Sequence, residues 1–364
     1  WAVWAMNVDG GNQRKLFEMA KILSNCNLVI SLQSLDEDVL ENVKRTNIRL
    51  DVFREIIGKI NAAKGISGTE IILGLPGETK ASHIETLRKL FDWNVSYLLC
   101  YNALVLEGTE MSRDRENHRL GCKTKFRLMD NGFGEYDTIL SMEVEEGIRE
   151  TQTMTENDIL FFRPVHWLIQ FLWNYRFYYP LMKFLQKRKI SPLDLILLLV
   201  ESAESPEMPE EVRRIFARFH TDANEEWFDT KEELMAYYSA RFTALKDGEY
   251  GKMNGKYIFH VLTDAKSAFD DCVLRFTRDM LKSREGGAEE DDRLVENLVQ
   301  YCAAAVLPLG EGLDQIRRSH EMTFDYDMLA WADSDFTNDL AASYSPAGYR
   351  YRFYLPTDQW EALD

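Results

Sequence analysis

Basic residues are scarce in this sequence: 43 Lys and Arg stand against 60 Asp and Glu, a formal charge of -17 over 364 residues. That balance excludes a phosphate-backbone partner, because nucleic-acid binding rests on concentrated Lys and Arg. Long hydrophobic runs are missing too. A membrane span needs about eighteen or more apolar residues, and the longest candidate, 161–185, is broken by Arg163, Pro164, Arg176 and Pro180. It reads as a buried helical pair, and no membrane partner is expected. The five cysteines, Cys26, Cys100, Cys122, Cys272 and Cys302, form no C-x-x-C pair. Neither a disulfide framework nor a local zinc site is indicated, and reduced thiols in the cytoplasm are the expectation. The opening W-A-V-W-A-M lacks the basic, apolar and small-residue layout of a targeting peptide. The chain is therefore expected to begin inside a domain.

The length allows two or three domains. Residues 1–105 alternate short Val-, Ile- and Leu-rich runs, at 1–6, 28–33, 70–75 and 96–104, with stretches of helical period. Asp36 can cap a helix carrying Val39, Leu40 and Val43. Asp51 can cap another carrying Phe53, Ile56, Ile57 and Ile60, ending at Gly65. Thr79 opens a third, with Ile84, Leu87 and Leu90 at core spacing. Runs that are apolar throughout suit strands covered on both faces, so the expected fold class is α/β with a parallel βα series. A ligand then belongs at the carboxyl ends of the strands, near Asn7, Gln33, Ser34, the 74–78 turn and Tyr101.

Beyond that series, 106–160 is polar and irregular, with N-G-F-G-E-Y as a turn and T-I-L-S-M-E-V as a candidate strand. From Asn157 the period is helical nearly to the end, interrupted by the polar segments 203–211 and 284–292, which read as solvated linkers. The expected domains are 1–110, a connecting segment 111–156, and a helical part 157–364.

The stretch T-E-I-I-L-G-L-P-G-E-T, residues 69–79, carries more punctuation than a core strand needs. Gly74 and Gly77 flank Pro76, so the backbone can take unusual dihedrals and approach a ligand closely. It lacks the layout of a phosphate-binding loop, with an acid where the lysine would stand. Upstream lies I-S-L-Q-S-L-D-E-D-V-L-E-N-V-K-R-T-N (30–47), and downstream Y-L-L-C-Y-N-A-L-V-L-E-G-T-E (97–110). In this order the three stretches resemble the middle and final strands of the radical S-adenosylmethionine (SAM) enzymes. The likeness is to the branch with oxygen-independent coproporphyrinogen oxidase, methylthiotransferases and cobalamin-dependent members.

That resemblance implies a partial (β/α) TIM-like barrel. In the family it holds S-adenosylmethionine on a [4Fe-4S] cluster and cleaves it reductively to a 5'-deoxyadenosyl radical. Carried over by motif position, Gln33 and Glu70 would hydrogen-bond the ribose hydroxyls, and Arg45, a planar fork, would meet the methionine carboxylate. Ser34 would be a further polar contact, the backbone at Tyr101 and Asn102 would pass the adenine edge, and the Gly74–Gly77 turn would form a close floor. The partners implied are a small-molecule or peptide substrate and an electron donor such as flavodoxin or ferredoxin.

Each of these residues also has a plain structural reading. Gln33 and Ser34 could cap the helix near Asp36, Arg45 could pair with Glu41, and Glu70 could be solvated. His83 and His118 read as surface histidines, and His166 beside Trp167 as core or boundary. The aromatic run 173–179 reads as helix packing.

The sequence departs from the family in having no C-x-x-x-C-x-x-C loop. The chain is accordingly read as the carboxyl-terminal portion of such an enzyme, inactive alone, with no metal ligands of its own and with cobalamin an option for the intact parent. The other reading is a non-catalytic protein-binding module derived from the same fold.

Overall fold

The computed structural model describes residues 2–5, 27–116, 121–137, 139–250, 252–283, 289–306 and 319–354. Asn7, Cys26 and His118 lie outside them. Strands β1 (Ala2–Ala5), β2 (Asn27–Gln33), β3 (Ser67–Leu73) and β4 (Tyr97–Asn102) form one parallel sheet in sequential order. The pairing sets Ser31 beside Glu70 and Glu70 beside Leu99.

Between β2 and β3 run α1 (Glu37–Asn42) and α2 (Leu50–Ala62). Asp36 caps α1 through its side chain, which accepts from the Asp38 and Val39 amides, as its position implies. Helix α2 begins one residue before Asp51, after an Arg49 cap with no side-chain bond, and Asp51 sits in the first turn. Its apolar face, Phe53, Ile56, Ile57 and Ile60, is buried. Thr79 caps α3 (Lys80–Asp92) in a reciprocal box with Ser82.

The expected coverage on both faces forms on β2, where Val29, Ile30, Ser31 and Leu32 are all buried, but not on β3 and β4. Along β3, Ser67, Thr69, Ile71 and Leu73 are buried while Glu70 and Ile72 are half-exposed, and along β4 Leu98 is buried while Tyr97, Leu99 and Tyr101 are not. The buried face meets α2, where Ser67 Oγ reaches Asn61 Oδ1 at 3.1 Å. The opposite face carries Glu70.

After α4 (Glu110–Glu116), the polar segment expected to be irregular forms a long antiparallel ribbon of β5 (Lys123–Tyr136) and β6 (Ile139–Glu150). Its register shifts between Leu128 and Phe133, with Asn131 at φ 58°, so N-G-F-G-E-Y is a strand irregularity and not the hairpin turn. Alternate apolar residues, Phe126 and Leu128 on β5 and Leu140, Met142 and Val144 on β6, supply one partly buried face, a period that charged side chains on the other face obscure.

Helix α5 (Glu156–Leu168) leads into a π-helical segment, Ile169–Asn174. There follow α6 (Tyr179–Lys187), α7 (Pro192–Glu201), α8 (Glu210–Glu225), α9 (Lys231–Ser239), α10 (Phe242–Lys246), α11 (Met253–Asp264), α12 (Lys266–Lys282) and α13 (Glu289–Ala304). Two compact units result, residues up to 167 with 218–256, and 168–217 with those from 257 on. In the second unit α6, α7, α12 and α13 pack on one another, and Phe171, Trp173, Tyr178 and Phe269 are nearly inaccessible. The aromatic run is thus helix packing, as read. The helical period does not last to the end, since β7 (Ser319–Phe324) and β8 (Tyr349–Tyr354) form a second hairpin around α14 (Met328–Asp333).

Candidate functional site

Glu70 projects from the half-open face of the sheet. Its carboxylate accepts the hydroxyl of Ser31 on the neighbouring strand. Arg45, in the loop between α1 and α2, donates from Nη2 to the Ser31 carbonyl at 2.5 Å and from Nε to Asn47 Oδ1 at 3.2 Å. Ser31 therefore links an acid and a base from two segments. Partial burial draws the Arg45 pKa below its ordinary value, and the Glu70 carboxylate works against that. Tyr101, 47% exposed, shares the neighbourhood: burial first, then the Glu70 charge, raises its phenol. Among the described residues Glu70 Oε1 and Arg45 Nη1 have no further protein partner, so one acceptor and one donor remain for a ligand.

The remaining expected positions divide. Gln33 ends β2 half-buried with φ 63°, a left-handed conformation uncommon for residues other than glycine, and pairs with Ile71. Ser34 is buried and serves the chain locally: its hydroxyl accepts the Asp36 amide at 3.1 Å and its carbonyl accepts Asn47 Nδ2 at 2.8 Å. Arg45 bonds Ser31 and Asn47, so the pairing with Glu41 is not the one formed. Asn102, at the end of β4, is half-buried and pairs with Leu73.

The turn after β3 has its own scaffold. Gly74 and Gly77 hold φ of 85° and 90°, which favour glycine. Gly74 is buried facing Ile148 and Ile159, whereas Gly77 is exposed beside Asn42, whose Nδ2 donates to the Pro76 carbonyl at 3.1 Å. The acid of P-G-E-T turns inward. Glu78 is 1% exposed, and its Oε2 accepts the Gly74 amide at 2.7 Å.

Its other oxygen lies 2.8 Å from His83 Nδ1, and His83 Nε2 lies 3.0 Å from His166 Nε2. His83 is fully buried, which corrects the surface reading. The buried face of α3 runs His83, Leu87, Leu90 and Phe91, one position from the stripe Ile84 suggested, and Ile84 is half-exposed. His83 Nδ1 faces the Glu78 carboxyl, and one of the two Nε2 atoms carries the proton of the contact between the rings. Burial, then the charges of His83 and Arg163, hold the His166 pKa well below its usual value. The clue in the sequence was the spacing of His83 from Leu87 and Leu90, one and two helical turns on.

Among the described residues no group of three His, Cys, Asp or Glu side chains could hold a metal ion, and no helix is long and apolar enough to cross a membrane. Cys100 lies in β4, and Cys272 and Cys302 are buried in α12 and α13. No family model matches the chain. Over 124 residues, 33% of this chain, it is 29% identical to the cobalamin-dependent radical SAM methyltransferase TokK of Streptomyces tokunonensis. The aligned part covers 18% of that protein's length. The similarity points to a radical SAM relationship and to nothing finer.

Proposed function

We propose that the parallel sheet is the later part of a curved barrel wall whose half-open face binds S-adenosylmethionine, within a radical SAM enzyme of the cobalamin-dependent kind. The observation that carries this reading is the linkage of Glu70 and Arg45 through Ser31 on the face that the helices leave open. Sequential parallel order agrees with it, because right-handed crossovers that never reverse place all helices on one side, as in a barrel wall.

S-adenosylmethionine, when bound, supplies the adenosyl group that such enzymes convert to a radical. The residues of this chain would do the holding. Glu70 Oε1 is an acceptor suited to a ribose hydroxyl, and the open edge of the Arg45 guanidinium suits a carboxylate. Tyr101 borders the same neighbourhood with a largely protonated phenol. An iron-sulfur cluster does not fit the described residues, so its thiolates, the cobalamin, the substrate and the electron donor are assigned to other parts of the intact enzyme. The missing cysteine loop also favours a second reading, a protein-binding module that has kept the sheet and lost the chemistry.

Equilibrium dialysis of the chain against S-adenosylmethionine separates the two. Saturable binding that weakens about tenfold or more in both Arg45→Ala and Glu70→Gln, with unchanged melting temperature, is the expected result, given charge-assisted hydrogen bonds of ordinary strength. Binding equal to wild type in both variants overturns the assignment. A wild-type chain that binds nothing favours the module.

A further inference from the structure

A cavity of about 160 Å³ lies between the irregular stretch of β5, the end of α8 and the segment from α9 to the start of α11. Three of its walls are Tyr237, Tyr238 and Tyr250. The rings stand at 85°, 80° and 87° to one another, with centroids 5.1 to 6.2 Å apart. Three mutually perpendicular aromatic planes make the inner corner of a box. Ring faces carry negative quadrupole density, so such a corner suits a positive charge. One face of Tyr237 already takes a cation, as Arg241 sits 4.0 Å over the ring from outside the cavity lining.

The charges of the lining point the same way. Asp130, Asp222, Glu225, Glu226 and Glu249 contribute five carboxylates, against Arg127 and Lys256. Arg127 is engaged by Glu145 at 2.8 Å and Glu226 at 3.7 Å, and Lys256 by Asp222 at 2.7 Å. Glu225 and Glu249 form no ion pair among the described residues, and Asp130 adds a carboxylate that shares Arg127 and Arg163 with Glu226.

Tyr238 adds an independent sign. It is 6% exposed, it lines the cavity, and its hydroxyl makes no hydrogen bond to any described residue. Its oxygen is not among the buried atoms left without a partner, so it opens to the cavity and is available to a ligand there. Burial, then the neighbouring Tyr237 and Glu226, push its pKa up to about 12, so it stays a neutral phenol able to donate or accept. Tyr238 is also anchored by packing with Leu234, Phe242 and Leu245, which fixes the corner.

We infer that this cavity is a binding site for a small organic ammonium ion, held by the Tyr237, Tyr238 and Tyr250 faces inside an acidic rim. The inference does not rest on the radical SAM reading, since it uses none of the same residues. The cavity is large enough for a ligand with several heavy atoms beside the charged group, in the size range of an engineered cavity that admits benzene.

Choline and its uncharged carbon isostere, dimethylbutanol, provide the test with the full chain, read by tyrosine fluorescence or ligand-detected NMR. Choline is expected to bind in the millimolar range and at least about tenfold more tightly than the isostere. Tyr250→Leu, at a 37% exposed position where the fold should persist, is expected to weaken choline about tenfold, and Tyr250→Phe to keep it within about twofold. Equal affinity for choline and the isostere, unchanged affinity in Tyr250→Leu, or no binding of either compound by the wild-type chain would each overturn the site.

Discussion

The Nε2 atoms of His83 and His166 lie 3.0 Å apart, on helices α3 and α5, with the rings 0% and 6% exposed. With Glu78 at the far side of His83, three titratable groups form one buried chain that starts at the Gly74 amide.

The consequence is a pH dependence. The groups facing His166 are His83, Arg163 and the stacked Phe162 ring, and none offers it a negative charge. Its native pKa lies well below the ordinary value of 6.5, which the unfolded chain recovers. Below about pH 6.5 the unfolded state takes up a proton that the native state refuses, so the native stability is full above that pH and falls beneath it. Between about pH 7.5 and about pH 5.5, urea unfolding should show wild type losing about 1 kcal/mol more than His166→Gln, which keeps a donor but cannot titrate. Equal losses would mean that His166 is charged in the native state.

Gly77→Ala should be costly for two reasons. At φ 90° an L side chain is strained, and its Cβ would stand 2.4 Å from Asn42 Nδ2. Asn42 must then swing away and give up its bond to Pro76. A loss of about 2 kcal/mol is expected from the dihedral penalty and the broken bond together. Gly74→Ala meets only ordinary contacts, at 3.5 Å and 3.8 Å, and should lose about half as much. Denaturant midpoints check the ranking, which an equal loss in the two variants would contradict.

Arg149 offers the opposite outcome. It is 1% exposed, bonds Glu156 only through Nε at 3.4 Å, and has both Nη atoms buried without hydrogen-bond partners in the described structure. Burial lowers its pKa and Glu156 only partly offsets this. Removing it leaves Glu156, whose side chain is 38% exposed, to water. Arg149→Met should therefore change stability by less than about 1 kcal/mol, or raise it. Arg127→Met strands the better-buried Glu145, leaves Glu226 to Arg163 alone, and should cost about 3 kcal/mol. Thermal unfolding of both variants reads the difference, and a large loss at Arg149 would reveal a partner for its guanidinium.

Much of the first unit was legible in the chain itself. Asp36 and Thr79 announce their helices because a cap is a bond between neighbours a few residues apart, and the buried stripe of α2 follows from a fixed helical period. The β5–β6 ribbon was not legible, because its charged residues and register shift mask the alternation that reveals a strand. Leu87 and Leu90 are buried as expected on α3, and the misplacing of Ile84 beside them had a related cause. Ile84 and His83 differ by one position, and hydrophobicity favoured the isoleucine, yet His83 is buried by partners far off in sequence, Glu78 excepted.

Short-range rules thus decide where segments begin, turn and stop, since the energies involved come from neighbouring residues. Which side chains meet is another matter. The joining of Ser31, Arg45 and Glu70, the contact of His83 with His166, and the perpendicular tyrosines are set by how strands and helices pack. Packing energy is summed over groups distant in the chain, and no local pattern records it.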